Sequence, residues 1–198
     1  MSFAAVLERL QTVENPYPGL RPFETSEAHL FFGRDEQIAE LLTRLECNRF
    51  VAVVGVSGGG KSSLVRAGLI PALERGQVQE AGTRWSIVVT RPAGAPFANL
   101  AADLASKGFD PAPLRASSYG LINVAKQLPA DHSLLVVVDQ FEELFRYKDQ
   151  ATVTDEAHRQ REQAAAEAYE FVQVLLTASR NQPPVYIVIT MRSDYLGD

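Results

Sequence analysis

Four apolar runs punctuate the chain: FVAVV at 50–54, WSIVVT at 85–90, SLLVVVD at 133–139 and PVYIVIT at 184–190. None of them alternates polar with apolar residues, so each predicts a strand covered on both faces, as in a parallel sheet. The intervals between them carry a helical period instead. Ile38, Leu41, Leu42 and Leu45 fall at i, i+3, i+4 and i+7, with Asp35 and Glu36 placed to favour the helix start. Further helices are expected over 60–75, 96–107, 117–128 and 155–180. The last carries Ala164, Ala168, Phe171, Val172, Leu175 and Leu176 on one side and is stopped by Pro183-Pro184. Strands alternating with helices predict a three-layer α/β fold with right-handed crossovers. Ahead of them, ENPYPGLRPFE at 14–24 holds three prolines and a glycine, which rules out a long regular element. Tyr17, Leu20 and Phe23 give that segment apolar anchors and predict that it is ordered.

Composition narrows the class. The length of 198 residues suits one domain, and 46% apolar with 22% charged residues is ordinary for a globular chain. A net charge of −5, from 19 basic and 24 acidic residues, argues against a non-specific nucleic-acid surface, which needs clustered Lys and Arg. The single cysteine, Cys47, leaves no partner within the chain for a disulfide and fits a reducing compartment. Near the end of a predicted helix, it reads as a small buried apolar residue. MSFAAVLERL lacks the pattern of a secretory signal, and no apolar run is long enough to cross a bilayer, so no membrane partner and a cytoplasmic location are expected.

The chemistry concentrates in VAVVGVSGGGKSSLVRAG at 51–68, which fits two motifs at once. GVSGG at 55–59 matches the nucleophile elbow G-x-S-x-G, with Ser57 as nucleophile. GVSGGGKS at 55–62 matches the phosphate-binding loop G-x-x-x-x-G-K-[ST]. In the second reading Gly55, Gly58, Gly59 and Gly60 let the backbone curl so that successive N–H groups face phosphate oxygens, and the following helix adds its positive end. Lys61 then reaches the outer phosphates, Ser62 ligates Mg²⁺, and Ser57 and Ser63 sit beside the phosphates. The hydrolase reading finds Asp139 and His158 in the right order, but His158 falls in an Ala- and Glu-rich helical stretch and Lys61-Ser62 is left without a role.

A phosphate-binding loop calls for a second acidic strand end, and LLVVVDQFEELF at 134–145 supplies it. Asp139 is placed to hold the metal, and either Glu142 or Glu143 could orient the attacking water. DEAH at 155–158 imitates a helicase box, but no buried strand precedes it, so Asp155 and Glu156 read as helix N-terminal residues. The run ending in ITMRSD delivers Arg192 to the place where such a sheet addresses the terminal phosphate.

Taken together, NPYPGLRPF, FFGRDEQ, GVSGGGKSSLVRAGLIPAL, VVVDQFEELF and TMRSDYLG resemble the bacterial "novel STAND" NTPases, signal-transduction switches related to AAA+ and NACHT proteins. The resemblance covers residues 14–198 and implies a P-loop NTPase domain of the ASCE type over that range, with 1–13 as an N-terminal extension. It places Gly33 and Arg34 at the nucleotide and gives Glu142 and Glu143 the candidate catalytic roles. It makes Arg192 a sensor arginine. It also implies ATP/ADP with Mg²⁺ as ligands and slow or conditional hydrolysis. Three positions depart from the pattern: Gln37 stands for a Glu, Gln140 for the catalytic Glu of AAA+ relatives, and Met191 for a Thr. The related folds order five strands 5-1-4-3-2, so the expectation is a mostly parallel sheet lacking its fifth strand. The expected partners are a C-terminal lid and sensor domains on a longer chain, and a nucleotide-dependent homo-oligomer. Two rivals stand beside this reading. One is a small-molecule P-loop kinase, for which neither an arginine-rich lid nor an acceptor site is visible. The other is a nucleotide-binding interaction module without turnover, which Gln140 keeps open.

Overall fold

A computed structural model describes residues 18–76, 84–149, 155–183 and 185–196. The expected extension at 1–13, Tyr17 and Pro184 lie outside these residues.

The segment after Gly19 forms a 3-10 turn at Thr25–Leu30 and leads into α1, Asp35–Asn48. Arg49 ends this helix in the left-handed region and returns its N–H to the Leu45 carbonyl. Strand β1, Phe50–Gly55, follows, then α2 over 61–74. The middle of α2, Leu64–Leu69, is wound as a π-helix, with the Ile70 N–H reaching back to the Val65 carbonyl. Pro71 accounts for it: the residue has no N–H to give, its ring crowds the preceding turn, and a wider turn relieves both. Next come β2 at Arg84–Thr90, α3 at Pro96–Ser106, α4 at Gly120–Ala125 and β3 at His132–Val138. After a 3-10 stretch at Phe141–Asp149, α5 spans Asp155–Arg180 and β4 spans Val185–Arg192.

The four strands are all parallel in the order β1-β4-β3-β2, which is the expected order without its fifth member. Alternate side chains of β3 separate two cores. Leu134, Val136 and Val138 meet α3, α4 and α5 through Phe97, Leu100, Leu121 and Phe171. Leu135 and Val137 face the other way, toward Leu41, Leu45, Leu69 and Leu73 of α1 and α2. The α/β/α layering read from the sequence is thus present.

Several expectations are corrected. Leu20, expected as an apolar anchor of the entry segment, is fully exposed. β1 is covered on one face only: Val51 and Val53 are buried, whereas Ala52 and Val54 are exposed, because α5 lies over the centre of the sheet and β1 is an edge. Cys47 is exposed, since the buried stripe of α1 runs through Leu41 and Leu45 and leaves position 47 on the opposite side. The helix foreseen at 117–128 is shorter, Gly120–Ala125, and the buried side of α5 is set by Ala168, Phe171, Val174, Leu175 and Ala178.

Candidate nucleotide site

The carboxyl ends of the parallel strands converge, which is where open α/β sheets place ligands. Register aligns Gly55 with Arg192, and Thr90 with Val138 just before Asp139. Above them lies a cavity of about 640 Å³ bounded by residues 57–63, by 18–23, and by Arg91, Gln140, Glu142, Thr190 and Arg192.

The glycine loop forms the cavity's floor. Gly59 N–H closes a turn onto the Val56 carbonyl at 3.1 Å, and a Cβ at Gly59 would lie just 3.1 Å from that same oxygen. Gly58 and Gly60 adopt φ of +73° and +78°, conformations that side chains resist. Lys61 folds back over the loop, its ammonium donating to the Gly55 carbonyl at 2.9 Å and the Val56 carbonyl at 2.8 Å. The Leu64 N–H then bonds the Gly60 carbonyl at 2.8 Å and starts α2, so the positive end of that helix points into the loop.

Asp139 is 1% exposed and nearly enclosed by donors. The Ser62 hydroxyl donates to Oδ1 at 2.6 Å, and the Thr190 hydroxyl donates to the same oxygen at 2.7 Å. Arg66 donates to Oδ2 at 3.3 Å, and the Arg91 guanidinium stands 3.6 Å from it. Burial is the largest single influence on this carboxyl and pushes its pKa up. The Ser62 and Thr190 donors and the charges of Arg66 and Arg91 together outweigh it, so the net position is below the ordinary value. Thr190 also accepts the Gln140 N–H at 3.0 Å, which holds Gln140 at a φ of 60° in the cavity wall.

The proline-rich segment is strapped to α2. Phe23 N–H donates to Ser63 Oγ at 3.1 Å, and Thr25 Oγ1 donates to the Arg66 carbonyl at 3.0 Å. Arg66 grips both oxygens of Glu24 at 3.0 Å while holding Asp139. Arg21 pairs with Glu27; that hydrogen bond, followed by the Glu24 N–H, brings the Glu27 carboxyl down to about 2. Gly68 lets α1 approach α2, since a Cβ there would meet Ile38 at 2.8 Å.

The residues singled out from the sequence therefore divide. Ser57, Gly58, Gly59, Gly60, Lys61, Ser62, Ser63, Glu142 and Arg192 line the cavity, and Gly55 and Asp139 bond residues that do. Glu142 is 9% exposed and its Oε2 has no hydrogen-bond partner among the described residues, whereas Glu143 lies outside the cavity wall. Arg192 lines the cavity while binding Asp194, its Nε donating at 3.1 Å, and that bond lowers the Asp194 carboxyl. Gly33 and Arg34 are exposed on the turn before α1 and do not line the cavity. His158 is exposed on α5, 3.4 Å from Glu162, where it serves no triad with Ser57. Asp155 and Glu156 occupy the first turn of α5, away from any strand end. Arg66, Arg91, Thr190 and the wall at 18–23 were not foreseen. A positive charge next to a strand end, as in Thr90-Arg91, was the available signal for one of them.

The sequence profile of the family described as novel STAND NTPase 1 matches residues 16–198. The chain belongs to the novel STAND NTPase 1 family. The family is described as one of NTPases. No curated protein matches the chain. Among solved structures, it is similar to a chain of the E. coli MS115-1 HORMA:CdnC:Trip13 complex, with 15% identity and a TM-score of 0.50. That match covers 87% of this chain and 60% of the other, and it supports the fold alone. Among the described residues, no helix is long and apolar enough to cross a membrane.

Proposed function

We propose that this chain binds ATP with Mg²⁺ on the loop 55–62 and serves as the nucleotide-dependent module of a signalling switch. The observation that carries the reading is the 2.6 Å contact between Ser62 and Asp139, which brings the loop onto the acidic strand end across 77 positions of sequence. A hydroxyl and a carboxylate form the all-oxygen donor set that suits a hard divalent cation, so Ser62 and Asp139 fit the metal. The orphaned Oε2 of Glu142 in the same wall fits a reaction that still lacks one partner. When bound, Mg²⁺ supplies neutralisation of the charge that develops on the transferring phosphoryl group.

The chain's own residues do the rest. Lys61 leaves the Gly55 and Val56 carbonyls for the phosphates, and the loop amides hold the phosphate oxygens. Glu142, rather than Glu143, orients the attacking water. Arg192 addresses the terminal phosphate once it parts from Asp194. The wall at 18–23 closes the side of the site, and its bonds to Ser63 and Arg66 pass a change in α2 to the proline-rich segment. One observation favours a second reading, in which nucleotide is held without turnover: Gln140, which cannot act as a base, sits in the cavity wall directly after Asp139.

The test is equilibrium titration with ATP and GTP, with and without Mg²⁺, followed by phosphate release. ATP binding that requires Mg²⁺ with slow release supports the switch. Binding without release supports the second reading, and equal failure of both nucleotides overturns the proposal.

A further inference from the structure

Two arginines face Oδ2 of Asp139, and they are held differently. Arg66 is 18% exposed and is fixed at both ends, by Asp139 and by both oxygens of Glu24. Arg91 is 46% exposed, lines the cavity, and has Asp139 at 3.6 Å as its one ion-pair partner among the described residues. Its backbone is anchored: Asn99 Nδ2 donates to the Arg91 and Pro92 carbonyls, each at 3.0 Å, and the Asp139 N–H bonds the Thr90 carbonyl at 2.8 Å. A guanidinium on a rigid strand end with a loosely held head, opening onto a glycine loop, is built to exchange one anionic partner for another.

We propose that Arg91 is a phosphate-contacting residue that trades Asp139 for the terminal phosphate of a bound nucleoside triphosphate. The proposal rests on the reading of the cavity as a nucleotide site. With a divalent cation held by Ser62 and Asp139, Arg91 would no longer be needed to neutralise Asp139, and like charges a few ångströms apart would repel. The guanidinium then needs another anion within reach, and its planar fork matches two phosphate oxygens. Arg66 cannot make the same trade, because Glu24 ties it to the wall. The terminal phosphate is the partner that fits: the loop amides serve the inner phosphates and Lys61 approaches the outer ones from the loop side, whereas β2 ends beside Asp139, on the far side of the metal site from the loop. Arg91 thereby distinguishes triphosphate from diphosphate.

Calorimetric titration of Mg·ATP and Mg·ADP into the wild-type chain, Arg91→Ala, Arg91→Lys and Lys61→Ala tests this. Arg91→Ala should lose about tenfold or more in ATP affinity, the scale of one charge-assisted hydrogen bond, while ADP affinity stays at the wild-type value. Arg91→Lys, which keeps the charge but not the fork, should recover part of the loss and also guards against misfolding of the alanine variant. Unchanged ATP affinity in Arg91→Ala, with binding still lost in Lys61→Ala, overturns the role of Arg91 and leaves the nucleotide site standing. Equal loss for ATP and ADP also overturns it, since the arginine would then act only through Asp139. Unchanged affinity in Lys61→Ala overturns the nucleotide reading itself.

Discussion

Asp139 and Glu142 are separated by one turn of chain and serve the same cavity, yet they are held in opposite ways. Asp139 is 1% exposed and faces two hydroxyls and two guanidinium groups. Glu142 is 9% exposed, and one of its oxygens has no hydrogen-bond partner among the described residues. A carboxylate whose acceptors are filled by the protein is fixed in place before any ligand arrives. One with an unfilled acceptor keeps its capacity for a molecule that comes and goes. The pair therefore sets a carboxylate already engaged by the protein beside one still open, and on the proposed reading substitutions at Asp139 should show first in stability and those at Glu142 first in turnover.

The largest effect is expected at Asp139. Asp139→Ala leaves the Ser62 and Thr190 hydroxyls and Arg66 without their shared buried acceptor and should cost about 3–5 kcal/mol in chemical denaturation. Glu142→Gln should leave stability close to that of wild type, because its Oε2 has no hydrogen bond to lose among the described residues. It should instead lower phosphate release by about a hundredfold or more with nucleotide affinity retained. Glu143→Gln should leave phosphate release unchanged, and a reversal of these two results would exchange the roles of the glutamates.

Next in size is a pH effect. The Asp139 carboxyl lies below its ordinary value, so its stabilising contribution is fully present above the unfolded-state pKa of about 3.9. That contribution fades as pH falls through the folded-state value. Asp139→Asn should be less stable than wild type at neutral pH by about 1–3 kcal/mol, and the gap should close as the solution is acidified. A gap that widens in acid would mean that the carboxyl is raised in the folded state.

The smallest effect is expected at Glu24→Gln. Its bond to Arg66 is half exposed and should be worth less than about 1 kcal/mol, readable as a shift in the denaturation midpoint. A much larger loss would show that the wall at 18–23 shares the work of holding Asp139.

Much of this was legible in the chain because it depends on local pattern. Apolar runs predicted the strands, glycine spacing predicted the loop, and a carboxylate after five apolar residues predicted Asp139. Pattern alone could not order the strands, and that order came from the resemblance to novel STAND NTPases. It could not tell edge from centre either: β1 and β4 read alike, but only β4 is covered on both faces. The partners of Asp139 were hidden for a similar reason. Arg66, Arg91 and Thr190 come from three elements separated by long stretches of sequence and meet only when the sheet assembles. The choice between Glu142 and Glu143 was open because the 3-10 winding of Phe141–Asp149 decides which one faces the cavity.

Calorimetric titration of Mg·ATP into wild type and Lys61→Ala tests the central claim most directly. Lys61 now bonds the Gly55 and Val56 carbonyls, and the account has it turn to the phosphates. Wild type should bind, and the alanine variant should bind at least about tenfold more weakly while keeping its fold. Equal affinity in the two proteins would contradict the assignment of the loop 55–62 as the nucleotide site.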